Sequence, residues 1–387
     1  MEYGGSFTGG GVQSMPECEN PLWPCAMTGA AACLAGFEGI AVVIHGSSGC
    51  YYYPTTLLHA PLHGTFILEN EAIFGSELRL REVIEGISKY GKKIAVVTTC
   101  VPALIGEDIR SMLSEYEVIL VDSPGFSGDV ETGYKKGLLS LEPVVGPETG
   151  GINIDGVCLF DPFSNGNVRE IMRLLGNASV PVGTVFCADK LQNVAHAARY
   201  TLGTNMDFAS GVGEFLGGTL GFEEIRETFN RVASIYPESD ISPVEKEMQL
   251  EEERIVRACD KFLRRFDPPQ TIIFSGFSYA KFAAQTLKRY LDADILFIGT
   301  RNEPGPSPFP SGHVQGLSLV RSLIRHHDPS LVLGSSFERS VATDRAFVGL
   351  TPPLRGMVQL APHPVAGITG ILSFVENVLN VCMDQKK

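Results

Sequence analysis

Three of the chain's nine cysteines stand in settings suited to holding a metal cluster. Cys25 follows Trp23-Pro24, and Cys50 closes the run His45-Gly46-Ser47-Ser48-Gly49-Cys50. Cys100 sits between the apolar stretch Ile94–Thr99 and Val101-Pro102. Each therefore falls at a turn beside glycine or proline. Thiolates at strand ends, flanked by residues that let backbone N–H groups point inward, suit an iron–sulfur cluster. Those N–H groups donate to the sulfides and offset the cluster's negative charge. Spacing alone leaves the matter open, because no Cys-x-x-Cys pair occurs. The other cysteines read as bland. Cys158, Cys187 and Cys382 lie in apolar runs, where a free cysteine packs as a small hydrophobe. Cys33 belongs to the apolar stretch after Cys25, Cys18 is a nearby spare, and Cys259 lies in a charged helical stretch.

Positioning these turns falls to a unit that recurs along the chain: a short β-branched run, a glycine or proline turn, then an amphipathic helix. Strands are expected at Ile94–Thr99, Val118–Asp122, Ile152–Phe160, Val180–Phe186, Thr271–Ser275, Ile295–Ile298 and Leu331–Leu333. Helices are expected at Gly106–Tyr116, Asn167–Leu175, Leu191–Leu202, Tyr279–Leu291, Leu317–His326, Glu338–Thr343 and Gly367–Met383. Short strands alternating with helices mean βαβ units, hence an α/β fold of three Rossmann-like domains with parallel sheets. A Pro/Gly-rich stretch, Glu142–Gly151, marks one boundary. A charged helix opened by Ser242-Pro243 and stopped by Asp267-Pro268-Pro269 marks the other. The domains are then 1–146, 147–265 and 266–387, with the ligand expected in the cleft between them, at strand carboxyl ends.

Bulk composition narrows the class. The chain is 44% hydrophobic and 19% charged with net charge −13. It has no Lys/Arg block, which argues against a nucleic-acid partner. No apolar run reaches the ~20 residues of a membrane span. The stretch Met1–Gly11 is glycine-rich rather than signal-like, so a reducing cytoplasmic setting is expected, where thiols outnumber disulfides.

The segment Cys25-Ala26-Met27-Thr28-Gly29-Ala30-Ala31-Ala32-Cys33-Leu34-Ala35-Gly36-Phe37-Glu38, running on to His45–Cys50, closely resembles the first cluster-binding segment of nitrogenase component 1 subunits. The stretch from Thr98-Thr99-Cys100 to Asp108-Ile109 resembles the second. Glu71-Ala72-Ile73-Phe74-Gly75 is similar to the family's link, and Asp122-Ser123-Pro124-Gly125-Phe126 to its Thr/Ser-Pro-x-Phe turn. Softer matches fall at Val332–Glu338 and His363-Pro364. The resemblance implies that Cys25, Cys50 and Cys100 ligate an iron–sulfur cluster. In a homodimer, two cysteines from each chain would hold a single 4Fe–4S cluster, the first expectation; three from each would suit a larger fused cluster, and two separate clusters are a third arrangement. The resemblance also implies that electrons arrive from a separate homodimeric iron protein. No Gly-x-x-x-x-Gly-Lys-Ser/Thr loop occurs here, so ATP and Mg would act only through that partner.

Departures from the family pattern point to a branch. The chain is shorter than nitrogenase subunits. His196-Ala197-Ala198-Arg199-Tyr200, where the resemblance places a ligand of the molybdenum cofactor, has no thiol. The compact form resembles the tetrapyrrole-reducing branch, and implies a homodimer acting on a nickel tetrapyrrole, Ni-sirohydrochlorin a,c-diamide, on the way to coenzyme F-430. Such a reaction needs protons, for which His196, His363, Asp161 and His313 are candidates. It also needs anchors for substrate carboxylates, for which Arg301, Arg199 and Arg339 are candidates. Two rival readings are a reductase of the protochlorophyllide type and a non-catalytic scaffold for metallocluster assembly.

Overall fold

The computed structural model describes residues 22–146 and 150–384. The stretch Met1–Gly11, Cys18 and positions 147–149 of the expected boundary lie outside the described residues. Three parallel sheets follow one another along the chain. The first holds β1 (Ile40–His45), β2 (Leu62–Gly64), β3 (Lys93–Thr98) and β4 (Val118–Val121), in the order β2-β1-β3-β4. The second holds β5 (Ile152–Asp155), β6 (Val182–Val185), β7 (Tyr200–Gly203) and β8 (Glu214–Gly218), in the order β6-β5-β7-β8. The third holds β9 (Gln270–Ser275), β10 (Asp294–Thr300), β11 (Ser311–His313), β12 (Leu331–Gly334) and β13 (Ala346–Gly349), in the order β11-β10-β9-β12-β13.

Unbroken apolar runs form these strands because both faces of a parallel sheet are covered. Along β1, Val42 and Ile44 join one apolar cluster, while Ala41 and Val43 join another. β3 repeats the division, with Ala95 and Val97 on one side and Ile94 and Val96 on the other. The second and third sheets share a single large core, where Ile152, Ile154 and Leu202 belong with Ile273, Ile298 and Leu331. The closing helix Gly367–Asp384 enters that same core through Ile368, Ile371, Phe374 and Val378. Asn167 fastens the approach to this helix: its Oδ1 accepts from the N–H groups of Val365 (2.8 Å) and Ala366 (2.9 Å).

Some local expectations change. The stretch 191–202, read as one helix, divides into a 3-10 turn at Leu191–His196 and strand β7. Tyr200 and Thr201 favour strand, and the slot between β5 and β8 supplies ladder partners on both sides, which outweighs local helix propensity. The helix expected at 106–116 contracts to Ile109–Met112. Gly106, at φ 74°, instead terminates a preceding helix, Cys100–Ile105. Among the described residues no helix is long and apolar enough to cross a membrane.

Candidate functional site

The carboxyl edge of the first sheet collects the three singled-out cysteines. β1 and β3 are neighbours in register, His45 opposite Thr98, so the chain leaves both strands side by side. The turn after β1 carries Cys50 into the first turn of helix Ser48–Leu58, and the turn after β3 makes Cys100 the first residue of its helix. The two turns touch at Gly46, where a Cβ would sit 1.9 Å from Thr99 Oγ1; any side chain there would push them apart. β4 lies next in the sheet, and its following turn brings the Gly125 N–H to donate to Cys100 Sγ at 3.1 Å. Behind these turns, buried His45 meets Thr65, Ser76 and Glu107, each at 3.2 Å, and Ser76 donates through its N–H and hydroxyl to Glu107. This buried polar knot fixes the exit of β1. His45 and Glu107 stand 62 residues apart in sequence, so only the fold reveals their pairing.

Cys25 arrives by another route. It caps the helix Ala26–Ala35 and forms an isolated bridge with Asp129, while the Ala26 N–H donates to the Gly128 carbonyl at 2.9 Å. The helix Ala26–Ala35 crosses the helix Val130–Leu139 at backbone contact. A Cβ on Gly29 would lie 1.8 Å from the Val130 carbonyl oxygen, and one on Gly133 would lie 1.6 Å from that of Ala26. Burial pushes the Cys25 thiol up; the amides of Thr28 and Met27 and the Thr28 hydroxyl oppose the rise, and Cys50 nearby adds to it.

The arrangement fits a thiolate-held cluster. Cys25, Cys50 and Cys100 are half-buried, whereas Cys33, Cys158, Cys187, Cys259 and Cys382 are buried, as expected of core residues. Cys33 and Cys187 place their sulfurs 3.2 Å apart inside the core. Of the five buried side-chain polar atoms without a partner among the described residues, three are hydroxyls on these same segments: Thr28, Thr99 and Ser123. A buried hydroxyl without a partner is costly, and these belong to the segments that carry Cys25 and Cys100 and to the turn that donates to Cys100. Among the described residues no three His, Cys, Asp or Glu side chains converge as a single ion requires. A polynuclear cluster instead spreads its thiolates over several irons. Among the described residues one chain offers three such thiols, so a four-cysteine set draws on something beyond them.

The remaining candidates do not assemble around these thiols. His196 and His363 are exposed. Arg199 is exposed, pairs with Glu214 and lies over the Tyr200 ring, while exposed Arg339 lies over the Phe347 ring. Arg301 requires a correction: it is 1% exposed, and its guanidinium is engaged by Glu338 and the Val314 carbonyl. It holds the third sheet together instead of facing a cleft, and the ring of His313 is tied to the Arg301 carbonyl at 3.0 Å. Where the strand carboxyl ends of the sheets meet, the cavity is only about 10 Å³, lined by Trp23, Asp161, Asp207, Ser275, Tyr279 and Thr351. That space admits one water, not a tetrapyrrole. A larger one of about 570 Å³ lies elsewhere, between helices packed on the second and third sheets, lined by Phe222, Glu224, Lys281, Arg289 and Phe309.

Asp161 is buried at this junction. Its Oδ2 accepts from the Tyr279 hydroxyl at 2.5 Å and from Asn205 Nδ2 at 3.2 Å, and its Oδ1 from the Phe163 N–H at 2.9 Å. Burial pushes its carboxyl up to about 6, against those hydrogen bonds, and the Asp207 carboxylate adds to the rise. Asp155 and Asp207 are raised by burial too. Between about pH 4 and its folded value of about 6, folded Asp161 keeps a proton that the unfolded chain has released. Its stabilising contribution is full below about pH 4 and is lost as pH rises through about 6, a loss on the order of 3 kcal/mol. In urea denaturation across this window, Asp161→Asn should flatten the decline of stability with pH. An unchanged slope would assign the decline to Asp155 and Asp207.

With the geometry in place, comparison with known proteins defines the class. The profile of the family described as nitrogenase component 1 type oxidoreductase matches residues 25–383, and the chain belongs to that family. Nitrogenase iron-molybdenum cofactor biosynthesis protein NifE of Clostridium pasteurianum is 24% identical over 72% of this chain and 68% of its own length. The nitrogenase molybdenum-iron protein beta chain of Azospirillum brasilense is 32% identical over 41% of this chain and 34% of its own. The match thus spans only about a third of that beta chain. The fold is similar to that of a solved structure titled "Nitrogenase Cp1 at pH 6.5", with TM-score 0.81 and 18% identity over 95% of this chain and 93% of the other.

Proposed function

We propose that this chain is the cluster-bearing catalytic component of an ATP-dependent nitrogenase-like reductase that acts on a nickel tetrapyrrole, in the reductive cyclisation of Ni-sirohydrochlorin a,c-diamide toward coenzyme F-430. The observation that carries the reading is that three half-buried thiols sit on neighbouring segments at one sheet edge, with the Gly125 N–H on Cys100 and the unpartnered Thr99 and Ser123 hydroxyls beside them. Cys25, Cys50 and Cys100 would hold a 4Fe–4S cluster, which supplies one-electron transfer when bound. The Gly125 N–H neutralises part of the charge on Cys100. Around these thiols the surface exposes Tyr52, Phe66, Phe74, Leu104, Ile105 and Phe126. So many large apolar side chains on one face suit burial against a second copy of the chain, whose symmetry would supply the further thiolates. A homodimeric iron protein would deliver electrons over the same edge, bringing the ATP and Mg requirement with it. His196 and His363 stand open to solvent as proton donors, and Asp161, its carboxyl pushed up to about 6, holds a proton below that pH behind Tyr279. Arg199 and Arg339 remain as anchors for substrate carboxylates, and Arg301 leaves that set.

The likeness to a cofactor biosynthesis protein over 72% of the chain favours one second reading, a scaffold on which a metallocluster is built and released. Anaerobic purification, iron analysis and electron paramagnetic resonance of the dithionite-reduced protein test the cluster. About four irons per dimer are expected, lost in Cys25→Ala, Cys50→Ala and Cys100→Ala but kept in Cys158→Ala. An iron-free protein indifferent to all three substitutions would sink the reading. Turnover of Ni-sirohydrochlorin a,c-diamide with an iron protein and ATP favours the reductase. Transfer of the cluster to an acceptor protein, without turnover, favours the scaffold.

A further inference from the structure

From the buried hydroxyls on these segments we infer that Thr28, Thr99 and Ser123 are positioning residues that donate hydrogen bonds to the sulfur of the bound cluster and raise its reduction potential. This inference rests on the cluster reading above and adds to it the residues that set the cluster's redox behaviour. All three side chains are fully buried; the Thr99 and Ser123 hydroxyls have no partner among the described residues, while the Thr28 hydroxyl acts on the Cys25 thiol itself. Their placement follows the three thiols one for one. Thr28 lies three residues beyond Cys25 in the first turn of the same helix, hence on the same face. Thr99 immediately precedes Cys100, and its Oγ1 fills the space over Gly46 between the Cys50 and Cys100 turns. Ser123 belongs to the turn whose Gly125 N–H already donates to Cys100 Sγ, and the Ser123 N–H is itself held by Thr98 Oγ1 at 3.2 Å.

A hydroxyl kept in a dry interior without a partner is tolerated where an acceptor arrives later, and a sulfide or thiolate accepts without donating. Each such donor stabilises the more negative, reduced form, so it raises the potential. The role has a second consequence. In the cluster-free protein the Thr99 and Ser123 hydroxyls are a liability, so removing them should stabilise the apoprotein. A hydroxyl with a structural role would do the opposite.

The test uses Thr28→Val, Thr99→Val and Ser123→Ala in the full chain, with Thr28→Ser and Thr99→Ser as variants that keep the donor and Ser275→Ala as an outside control. Ser275 also carries an unpartnered buried hydroxyl, but it lines the small cavity between the sheets. Iron content, the midpoint potential from an EPR-monitored redox titration, and the urea midpoint of the apoprotein are read for each. The three deletions should keep iron and move the midpoint to more negative potential, and Thr99→Val and Ser123→Ala should also raise the apoprotein's urea midpoint. The serine variants should restore the potential, and Ser275→Ala should leave it alone. Unchanged potentials in deletion variants that retain iron overturn the inference and leave the cluster reading intact. A wild-type protein that takes up no iron overturns both.

Discussion

Replacing Gly133 with alanine is expected to strip the protein of iron while every cysteine stays in place. The added Cβ would lie 1.6 Å from the Ala26 carbonyl oxygen and 2.4 Å from its carbon, both backbone atoms that cannot rotate aside. The helices Ala26–Ala35 and Val130–Leu139 must then separate, and Gly29 on the opposite helix has no slack to give, with the Val130 carbonyl at 1.8 Å from its own Cβ position. Overpacking of this kind typically costs about 1–3 kcal/mol and sometimes more. The cost falls where Cys25 is held, because the bridge to Asp129 and the bond from the Ala26 N–H to Gly128 join the same two segments. Iron analysis and urea denaturation of Gly133→Ala read both effects. Gly86→Ala is the control. Gly86 is helical, and nothing lies within 4 Å of its Cβ position. It should be neutral or stabilising by up to about 1 kcal/mol through helix propensity. Wild-type stability and wild-type iron in Gly133→Ala would overturn this account of how Cys25 is placed.

How much of this was legible beforehand depends on the range of the interaction. Strands such as Ile94–Thr99 and Leu331–Leu333 could be read because burial on both faces writes an apolar run into the sequence itself. Cys25, Cys50 and Cys100 could be picked out because turn residues flank each of them, and the structure gives these three an exposure the other described cysteines lack. The knot of His45, Ser76 and Glu107 and the Gly29–Gly133 crossing could not be read. Each joins positions dozens of residues apart, and neither leaves a local pattern. β7 was lost to a helix for a related reason. Tyr200–Gly203 gains strand form from β5 and β8 on either side, and a window on the chain sees neither. The same limit misassigned Arg301. Its position after a strand suggested an anchor facing a ligand, while its partner lies 37 residues away.

That arginine gives the second large effect. Arg301→Met is expected to destabilise the protein by about 3–5 kcal/mol, because it leaves a buried carboxylate without its cation. Glu338 is fully buried, and its Oε2 accepts from the Ser335 N–H at 2.7 Å and the Ser335 hydroxyl at 2.6 Å, while the other oxygen meets the Arg301 guanidinium. Glu338 thereby caps the helix Ser336–Val341 after β12, and Arg301 follows β10, so the pair bridges two strands that flank β9. Glu338→Gln keeps an acceptor for Ser335 but strands the guanidinium, and should cost a comparable amount. The double variant Arg301→Met/Glu338→Gln removes both charges and should recover most of the loss, giving a coupling energy well above that of an exposed pair. Urea denaturation of the four proteins reads the cycle. If Arg301 were instead an anchor for substrate carboxylates, Arg301→Met would leave the urea midpoint unchanged and raise KM alone. The burial of both partners predicts the reverse: a protein that loses stability first, with any loss of activity following from it.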